Sequence, residues 1–244
     1  MGLMFEELDY RETSIGALSL RRRWDPIFSK DVFEIKLGEE FLMTSSFTDS
    51  EIALARLALA QLSNENLDVV VGGLGLGYTA KEVLSFGAVQ SLLVVDTMDA
   101  VIDWHETGLL PLGAELCADQ RCRFVHGDFF ALAASSDGFD TSRPARKFDA
   151  ILVDIDHSPK FLLDAKNSSF YSRDGLEHLA KHLRAGGIFG LWSNEREDCE
   201  FTQRLGRVFA NARCELVSFY NPIQQCDFTQ SVYLAQTLEC SGRS

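Results

Sequence analysis

The feature that most constrains this chain is a regular alternation of apolar strands and helical stretches from Leu67 onward. Apolar segments typical of buried strands occupy 67–73, 91–96, 122–126, 148–155 and 187–192. Helical patterns follow near 78–86, 98–106, 128–134, 171–184 and 197–210. This order predicts a mostly parallel sheet with helices on both faces. Two more apolar stretches without a helix between them predict a closing antiparallel pair, at 214–219 and 231–235.

A shorter region with a different pattern precedes this alternation. Apolar and polar residues alternate with a period near two at 14–20, 32–37 and 41–43, and a glycine-containing turn joins the last two segments. That pattern predicts a small antiparallel sheet. We therefore expect a small N-terminal β region over 1–47 and a Rossmann-like domain over 48–244.

Composition excludes several classes of protein. Of the 244 residues, 46% are hydrophobic and 24% are charged, which is typical of a globular chain rather than a disordered or fibrous one. The apolar runs are shorter than the roughly 18 residues that a membrane helix needs, so we expect no membrane association. A net charge of −13 opposes binding to a phosphate backbone, so we expect no nucleic-acid partner.

The cysteines and histidines indicate a reduced compartment and no metal. The six cysteines form no C-x-x-C pair and no dense framework, so they are interpreted as free thiols. The start of the chain lacks a basic segment followed by an apolar one, and we expect a cytoplasmic location. His178 and His182 lie one helical turn apart, but the sequence indicates no third ligand for a metal.

A glycine turn follows the first strand of the alternation, at 72–77. Glycines at Gly73, Gly75 and Gly77 let the chain turn tightly and bring the backbone close to a ligand. Asp96 ends the next strand, 19 residues after Gly77, where a carboxylate can accept hydrogen bonds from both ribose hydroxyls. Together these features predict a nucleoside pocket.

Two further aspartates end neighbouring strands. Asp128 follows the third strand and Asp154 ends the fourth. Because the carboxyl ends of parallel strands meet at one edge of the sheet, we expect both to point into the same site as Asp96. Asp128 also suits the N-cap of the next helix, and the two roles are compatible. For Asp156 the alternative is a turn or cap before Pro159.

Further segments carry a family resemblance, and they lie at 81–84, 95–96, 127–128, 148–154, 170–171 and 183–188. With the glycine turn, they resemble class I S-adenosylmethionine-dependent methyltransferase folds, and within them the spermidine synthase-like aminopropyltransferases of polyamine biosynthesis. The resemblance implies a seven-stranded, mostly parallel sheet preceded by a small β region. It also implies S-adenosylmethionine or its decarboxylated form as co-substrate, a small amine acceptor and no metal.

The resemblance assigns roles residue by residue. The glycine turn would hold the sulfonium nucleoside, the acid at Asp96 the ribose, and the acid at Asp128 the adenine. Asp154 would assist the attacking amine. We add Thr97 and Phe129, which directly follow two of these aspartates, to the nucleoside site.

Four departures from the family pattern concern the acceptor. The aspartate of the usual Gly-Gly-Gly-Asp-Gly-Gly turn falls on Leu76, and a second aspartate after the fourth strand falls on His157. A tyrosine-histidine or tyrosine-glutamine pair before a glutamate falls near Ser50 and Glu51, and an expected glutamine is missing. Since these groups mostly hold the diamine, the resemblance supports nucleoside binding better than it supports putrescine as acceptor.

Transfer from a sulfonium is an in-line displacement that depends chiefly on alignment and on an unprotonated nucleophile. Asp154 is our candidate catalytic base, and His157 is the alternative base. Asp156 could help to hold a cationic acceptor. Trp192 and Tyr220 are candidate walls of the acceptor site, although Trp192 also suits a core position.

Three other functions stay open at this point. They are a class I small-molecule methyltransferase, a catalytically silent nucleoside-binding homologue, and an NAD-dependent dehydrogenase, for which 75–80 fits G-x-G-x-x-G/A. The exposed edges of the small N-terminal sheet also predict that it pairs with another copy, giving a homodimer, or packs on the main sheet.

Overall fold

The chain forms two sheets in a computed structural model that describes residues 5–13 and 16–238. Ser14 and Ile15, at the start of one predicted strand, and the predicted free thiol of Cys240 lie outside the described residues. No helix in the described ranges is long and apolar enough to cross a membrane.

The first sheet is an antiparallel meander of four strands. In chain order these are β1 (Phe5–Thr13), β2 (Gly16–Asp25), β3 (Lys30–Leu37) and β4 (Glu40–Thr44). The sequence prediction missed β1, because its apolar residues Phe5, Leu8 and Tyr10 do not alternate regularly. Cross-strand ion pairs help to hold β1 on β2, as between Glu6 and Arg22 at 2.5 Å.

The second sheet has seven strands in the order β10-β11-β9-β8-β5-β6-β7. They are β5 (Leu67–Gly72), β6 (Val89–Asp96), β7 (Cys122–His126), β8 (Phe148–Val153), β9 (Leu183–Ser193), β10 (Ala210–Asn221) and β11 (Cys226–Gln236). The strands from β9 to β7 run parallel, while β11 and β10 are antiparallel to their neighbours. The predicted fold class, including the closing antiparallel pair, is confirmed.

Helices cover both faces of this sheet. They are α1 (Asp49–Leu59), α2 (Tyr78–Ser85), α3 (Asp99–Glu106), α4 (Gly113–Ala118), α5 (Phe129–Ala134), α6 (Arg173–Ala180) and α7 (Cys199–Leu205). Side chains alternate across a strand, so Val69 and Val71 join the core under α1 to α4, while Val70 joins the core under α5 to α7. Burial on both faces explains why the central strands are continuously apolar.

The small sheet shares one of these cores. Leu18, Leu20 and Ile35 are buried in the same cluster as α1 and the central strands. Met43 of β4 reaches the glycine turn that follows β5. The small sheet therefore lies over the carboxyl edge of the parallel strands, and the division of the chain at residue 47 stays a prediction.

Two predicted helices are shorter in the structure than the sequence pattern indicates. The helix predicted over 171–184 ends at Ala180, because Arg184 already lies in β9 and pairs with Asp149 and Asp68. The helix predicted over 197–210 ends at Leu205, and β10 begins at Ala210. In both cases the apolar pattern continues from helix into strand, which hides the boundary.

Candidate functional site

A cavity of about 780 Å³ opens at the carboxyl edge of the parallel strands, beneath β4. Its volume lies in the range of small-molecule sites, about 300–1,000 Å³. The predicted site residues in its wall are Gly73, Gly75, Asp96, Thr97, Asp128, Phe129, Asp154, His157 and Trp192. The predicted residues Gly77, Asp156 and Tyr220 are absent from the wall.

The three predicted glycines of the turn have left-handed backbone angles, with φ of +92° at Gly73, +46° at Gly75 and +90° at Gly77. A Cβ at Gly73 would overlap the backbone oxygen of Asp154, so this glycine brings two strand ends into contact. Gly77 instead lies against Leu116 and serves helix packing, which corrects its assignment to the ligand site.

Every backbone N–H from 73 to 77 already donates to a protein acceptor. The acceptors, in order, are the Val95 carbonyl, the Asp96 carboxylate twice, the Met43 thioether and the Leu74 carbonyl. A dinucleotide pyrophosphate uses free N–H groups at such a turn. This turn cannot offer them in the observed arrangement, which argues against the dehydrogenase.

Asp96 stabilises the glycine turn by accepting backbone hydrogen bonds and can still accept hydrogen bonds from a ligand. Its Oδ2 accepts from Leu74 N and its Oδ1 from Met98 N, both at 2.8 Å. Burial raises the pKa of Asp96, although these backbone hydrogen bonds lower it. Because a carboxylate has about four lone-pair positions, acceptor capacity remains for ribose hydroxyls. Thr97 follows it in the cavity wall.

Asp128 and Phe129 form the next part of the wall. Asp128 caps α5, accepting from Phe130 N at 3.0 Å and Ala131 N at 3.2 Å, while its other oxygen lies 3.3 Å from Lys166 Nζ. The predicted cap is therefore present. Phe129 is only 2% exposed, so it offers the cavity a limited apolar edge.

Asp154 lies at the end of β8 beside two groups from other elements. Thr79, near the start of α2, donates to Asp154 Oδ2 at 2.7 Å. Burial raises the pKa of Asp154 to about 6. Burial and the nearby Asp154 charge raise the pKa of Glu51 in α1 to about 8. Sequence reasoning missed Thr79, although its place just after the glycine turn puts it near the strand ends.

A hydrogen-bonded chain runs from Glu51 along the cavity wall. Ser50 Oγ lies 2.8 Å from Glu51 Oε2, 2.6 Å from Gln230 Oε1 and 2.8 Å from the indole nitrogen of Trp192. Gln230 in turn donates to Asn194 Oδ1 at 2.8 Å. Sequence reasoning missed Gln230, which lies 180 positions from Ser50 and carries no motif.

The charge of Glu51 follows from its surroundings. The Ser50 hydroxyl has one proton, which it can donate to Glu51 or to Gln230, while Trp192 donates to the hydroxyl. Burial and the nearby Asp154 charge raise the pKa of Glu51 to about 8, which favours its protonated form at neutral pH. Asp154, with a pKa of about 6, then carries the negative charge of the pair.

Asp156 turns away from the cavity, which corrects its assignment to the acceptor. It is 1% exposed and accepts from Leu163 N at 2.7 Å and from Tyr171 Oη at 2.9 Å. Asn167 Nδ2 adds contacts at 3.1 and 3.2 Å. Asp156 therefore fixes the loop after β8, in line with the alternative that the sequence left open.

Tyr220 is 59% exposed, and it lies on the face of β10 opposite the cavity. Its neighbours Phe219 and Asn221 line the wall instead, because successive side chains of a strand point to opposite faces. The prediction that Tyr220 lines the wall was therefore wrong by one position along β10. His157 does line the cavity, and its Nε2 lies 3.0 Å from Glu40 Oε1 of β4.

The described wall is strongly acidic. Its carboxylates are Glu12, Glu51, Asp96, Asp99, Asp128, Asp154 and Asp164. Lys166 is the single lysine or arginine among its described residues. Across residues 5–13 and 16–238, no group of three or more histidine, cysteine or acidic residues has an arrangement that could hold a metal. The wall therefore favours a cationic ligand.

Comparison with known proteins gives a consistent result. A family model described as "Spermine/spermidine synthase domain" matches residues 50–226. Putrescine N-methyltransferase 2 of Nicotiana attenuata and putrescine N-methyltransferase 3 of Nicotiana tabacum are each 29% identical over 135 residues, or 55% of this chain. The matches cover 33% and 32% of those relatives, so they concern only about a third of each enzyme.

Solved structures show the same fold. The spermidine synthase of Thermotoga maritima matches with a TM-score of 0.69 at 16% identity, covering 94% of this chain and 72% of that one. A spermidine synthase in complex with the transition-state analogue AdoDATO matches with a TM-score of 0.71 at 16% identity, with coverage of 94% and 73%. At this level of identity the likeness concerns the fold alone.

Proposed function

Because this chain belongs to the spermine/spermidine synthase family, we propose that it transfers an alkyl group from a sulfonium nucleoside to a small amine. The family resemblance found in the sequence is confirmed. The observation that carries the proposal is one acidic cavity in which the glycine turn, Asp96 and Asp154 meet.

The donor side suits a nucleoside without phosphate groups. Asp96 has acceptor capacity left for ribose hydroxyls, while the N–H groups of the glycine turn are engaged. The acidic wall stabilises the positive charge of a sulfonium. These features favour S-adenosylmethionine or its decarboxylated form over NAD as the ligand.

The transfer step needs little from the protein besides alignment and a proton acceptor. The nitrogen lone pair of the amine attacks the carbon bonded to sulfur, the carbon–sulfur bond breaks, and a neutral thioether leaves. The nitrogen gives its proton to Asp154, whose pKa of about 6 leaves most of this group ionised at neutral pH. The Thr79 hydroxyl orients the carboxylate.

The charges of the wall favour the decarboxylated donor. A donor carboxylate would meet seven acidic side chains and one lysine, and the turn N–H groups that could hold it are engaged. We therefore place aminopropyl transfer first. Methyl transfer from S-adenosylmethionine is the second candidate, because the matched relatives are N-methyltransferases.

Calorimetry tests the donor site with methylthioadenosine, S-adenosylhomocysteine and NAD. We expect methylthioadenosine to bind and NAD to give no heat. Turnover with either donor and a panel of amines, with Asp154→Asn as control, then tests the transfer. Binding of NAD alone would contradict the proposal. Nucleoside binding without turnover of any amine would favour the catalytically silent homologue.

We also propose that two copies of this chain associate through the edge strand β1. Among the described residues, β1 pairs only with β2 and exposes Phe5 and Tyr10. Light scattering at micromolar concentration tests this, and a monomeric mass would reject it. The cytoplasmic location stays a prediction, with free thiols on the five described cysteines.

A further inference from the structure

One part of the cavity wall is apolar and comes from β10, β11 and the segment before α1, whereas Asp96 ends β6 and Asp128 follows β7 at the other end of the sheet. Three phenylalanines form this apolar part, and we call Phe47, Phe219 and Phe228 the phenyl wall. Phe47 stacks on Phe219 with ring centroids 5.5 Å apart, and Phe219 lies 6.2 Å from Phe228. All three are half-buried, so each leaves part of a ring for contact with a ligand.

The phenyl wall begins beside the buried carboxylate pair. Phe228 and Gln230 lie two positions apart on one face of β11, and Gln230 connects through Ser50 to Glu51. Phe47 precedes α1, one helical turn before Glu51. An acceptor whose nitrogen meets Asp154 therefore extends its carbon body along phenyl rings.

The remaining acidic residues of the wall lie near the nucleoside residues or are already bonded within the protein. Asp99 starts the helix after Asp96, and Asp164 shares the Lys166 ammonium with Asp128. Glu12 accepts a hydrogen bond from the Tyr10 hydroxyl at 2.6 Å. Among the described wall residues, Glu51 and Asp154 are therefore the acidic groups left for the acceptor, and with Glu51 protonated the pair carries one negative charge.

We propose that the acceptor is an amine with a single cationic nitrogen and an apolar or aromatic body, rather than a diamine. This inference rests on the proposed function and names the substrate class of the same site. One negative charge pairs with one ammonium as the acceptor enters. The second ammonium of a diamine would lie against the phenyl wall, and a phenyl face is a weaker partner for a desolvated cation than a carboxylate.

The transfer step is unchanged by this choice. The bound ammonium first gives one proton to Asp154, and the freed nitrogen lone pair then forms the nitrogen–carbon bond while the carbon–sulfur bond of the donor breaks and the neutral thioether leaves. The apolar body of the acceptor takes no part in the chemistry. It supplies binding free energy by covering the rings of Phe219 and Phe228.

Calorimetry on the protein saturated with methylthioadenosine tests the inference. The ligands are putrescine, n-butylamine, which is its monoamine counterpart, and phenethylamine, which adds a ring. We expect both monoamines to bind at least about tenfold more tightly than putrescine. Equal or tighter binding of putrescine would overturn the inference, as would a lack of binding by every amine.

Two outcomes separate this inference from the proposed function. If methylthioadenosine binds and putrescine is preferred, the donor site stands and only the acceptor class is wrong. If methylthioadenosine gives no heat, the proposed function fails, and the inference fails with it.

A pair of variants on one strand sharpens the test. Phe219→Glu places a carboxylate in the phenyl wall, while Tyr220→Glu adds the same charge to the opposite face of β10. We expect Phe219→Glu to change the ratio of putrescine affinity to n-butylamine affinity at least about tenfold in favour of putrescine. The affinity for methylthioadenosine should be retained. Tyr220→Glu keeps the wild-type ratio. Equal shifts of this ratio in both variants, or no shift in either, would count against the phenyl wall. If Phe219→Glu does not fold, the ratio of putrescine to n-butylamine affinity measured on the wild-type protein tests the inference by itself.

Discussion

The proposed nucleoside half of the cavity, around Asp96 and Asp128, and its proposed acceptor half, around Ser50, Trp192 and Gln230, are held by different kinds of contact. On the nucleoside side, Asp96 bonds to the glycine turn across 22 positions and Asp128 bonds to the next turn of chain. On the acceptor side, Ser50 meets Trp192 across 142 positions and Gln230 across 180. The geometry of the nucleoside half thus follows from the fold. The geometry of the acceptor half depends on a few side chains, which can be substituted without altering the fold.

Substituting Asp154 by asparagine is the strongest way to separate the two halves. Because asparagine cannot accept the proton of the amine, we expect turnover to fall about 10²- to 10⁴-fold. The nucleoside contacts are left intact, so methylthioadenosine affinity changes little. Steady-state kinetics and calorimetry on the same preparation measure the two effects.

A matched change at Asp164, in the wall near Lys166, is the control for Asp154→Asn. Asp164→Asn removes a carboxylate of the same cavity and leaves the proton acceptor in place. Turnover should stay within a few-fold of wild type. If both variants lose activity equally, the role of Asp154 as base is wrong.

Glu51→Gln tests, through the pH dependence of stability, whether Glu51 is protonated in the folded protein. The pKa of Glu51 is raised from 4.5 to about 8, so between these pH values the native state binds more protons than the unfolded state. Its contribution to stability is therefore complete below pH 4.5 and falls as pH rises toward 8, by at most about 1.4 kcal/mol per pH unit. Denaturant unfolding from pH 5 to 8 should show this decline in wild type and a flatter profile in Glu51→Gln.

Asp49 is the control for that profile, because it is an exposed carboxylate on the same helix. Asp49→Asn should retain most of the decline with pH. A Glu51→Gln profile that matches wild type would show that Glu51 is already ionised, and the single-charge argument for the acceptor would then lose its basis.

Asp96→Asn probes the nucleoside half. The amide keeps one oxygen for the turn but loses the charge that strengthens bonds to ribose hydroxyls, so we expect methylthioadenosine affinity to fall about tenfold. Affinity for the amine, measured with saturating nucleoside, should hardly change. Asp99→Asn, three positions along in the same wall, is the control and should bind nucleoside nearly as wild type does.

The same contrast explains what the sequence could predict. Gly73, Asp96 and Asp154 were predicted to meet, and they do, because parallel topology brings strand ends to one edge. The predictions for Asp156 and Tyr220 were wrong. Asp156 lies in the loop after β8 and turns toward Tyr171, and Tyr220 points to the other face of β10, because a shift of one residue along a strand moves a side chain to the opposite face.

The connection of Glu51, Ser50 and Gln230 had no sequence signal. It forms only when α1 packs against β9 and β11, which lie far along the chain. Spacing rules describe neighbours within one element or between successive elements, so a contact of this range is outside their reach. The acceptor half is therefore the part of the site for which structure was needed.

Ser50→Ala gives the smallest expected effect and the finest test of this contrast. The change leaves the Trp192 N–H and the Gln230 carbonyl without their shared partner, which costs about 1 kcal/mol of stability. Since the hydroxyl touches only acceptor-side groups, amine affinity should fall a few-fold while methylthioadenosine affinity is retained. Ser85→Ala, which removes a hydroxyl bonded only to Glu82, controls for loss of a serine. A Ser50→Ala variant that weakens nucleoside and amine equally would mean that the two halves are not independent.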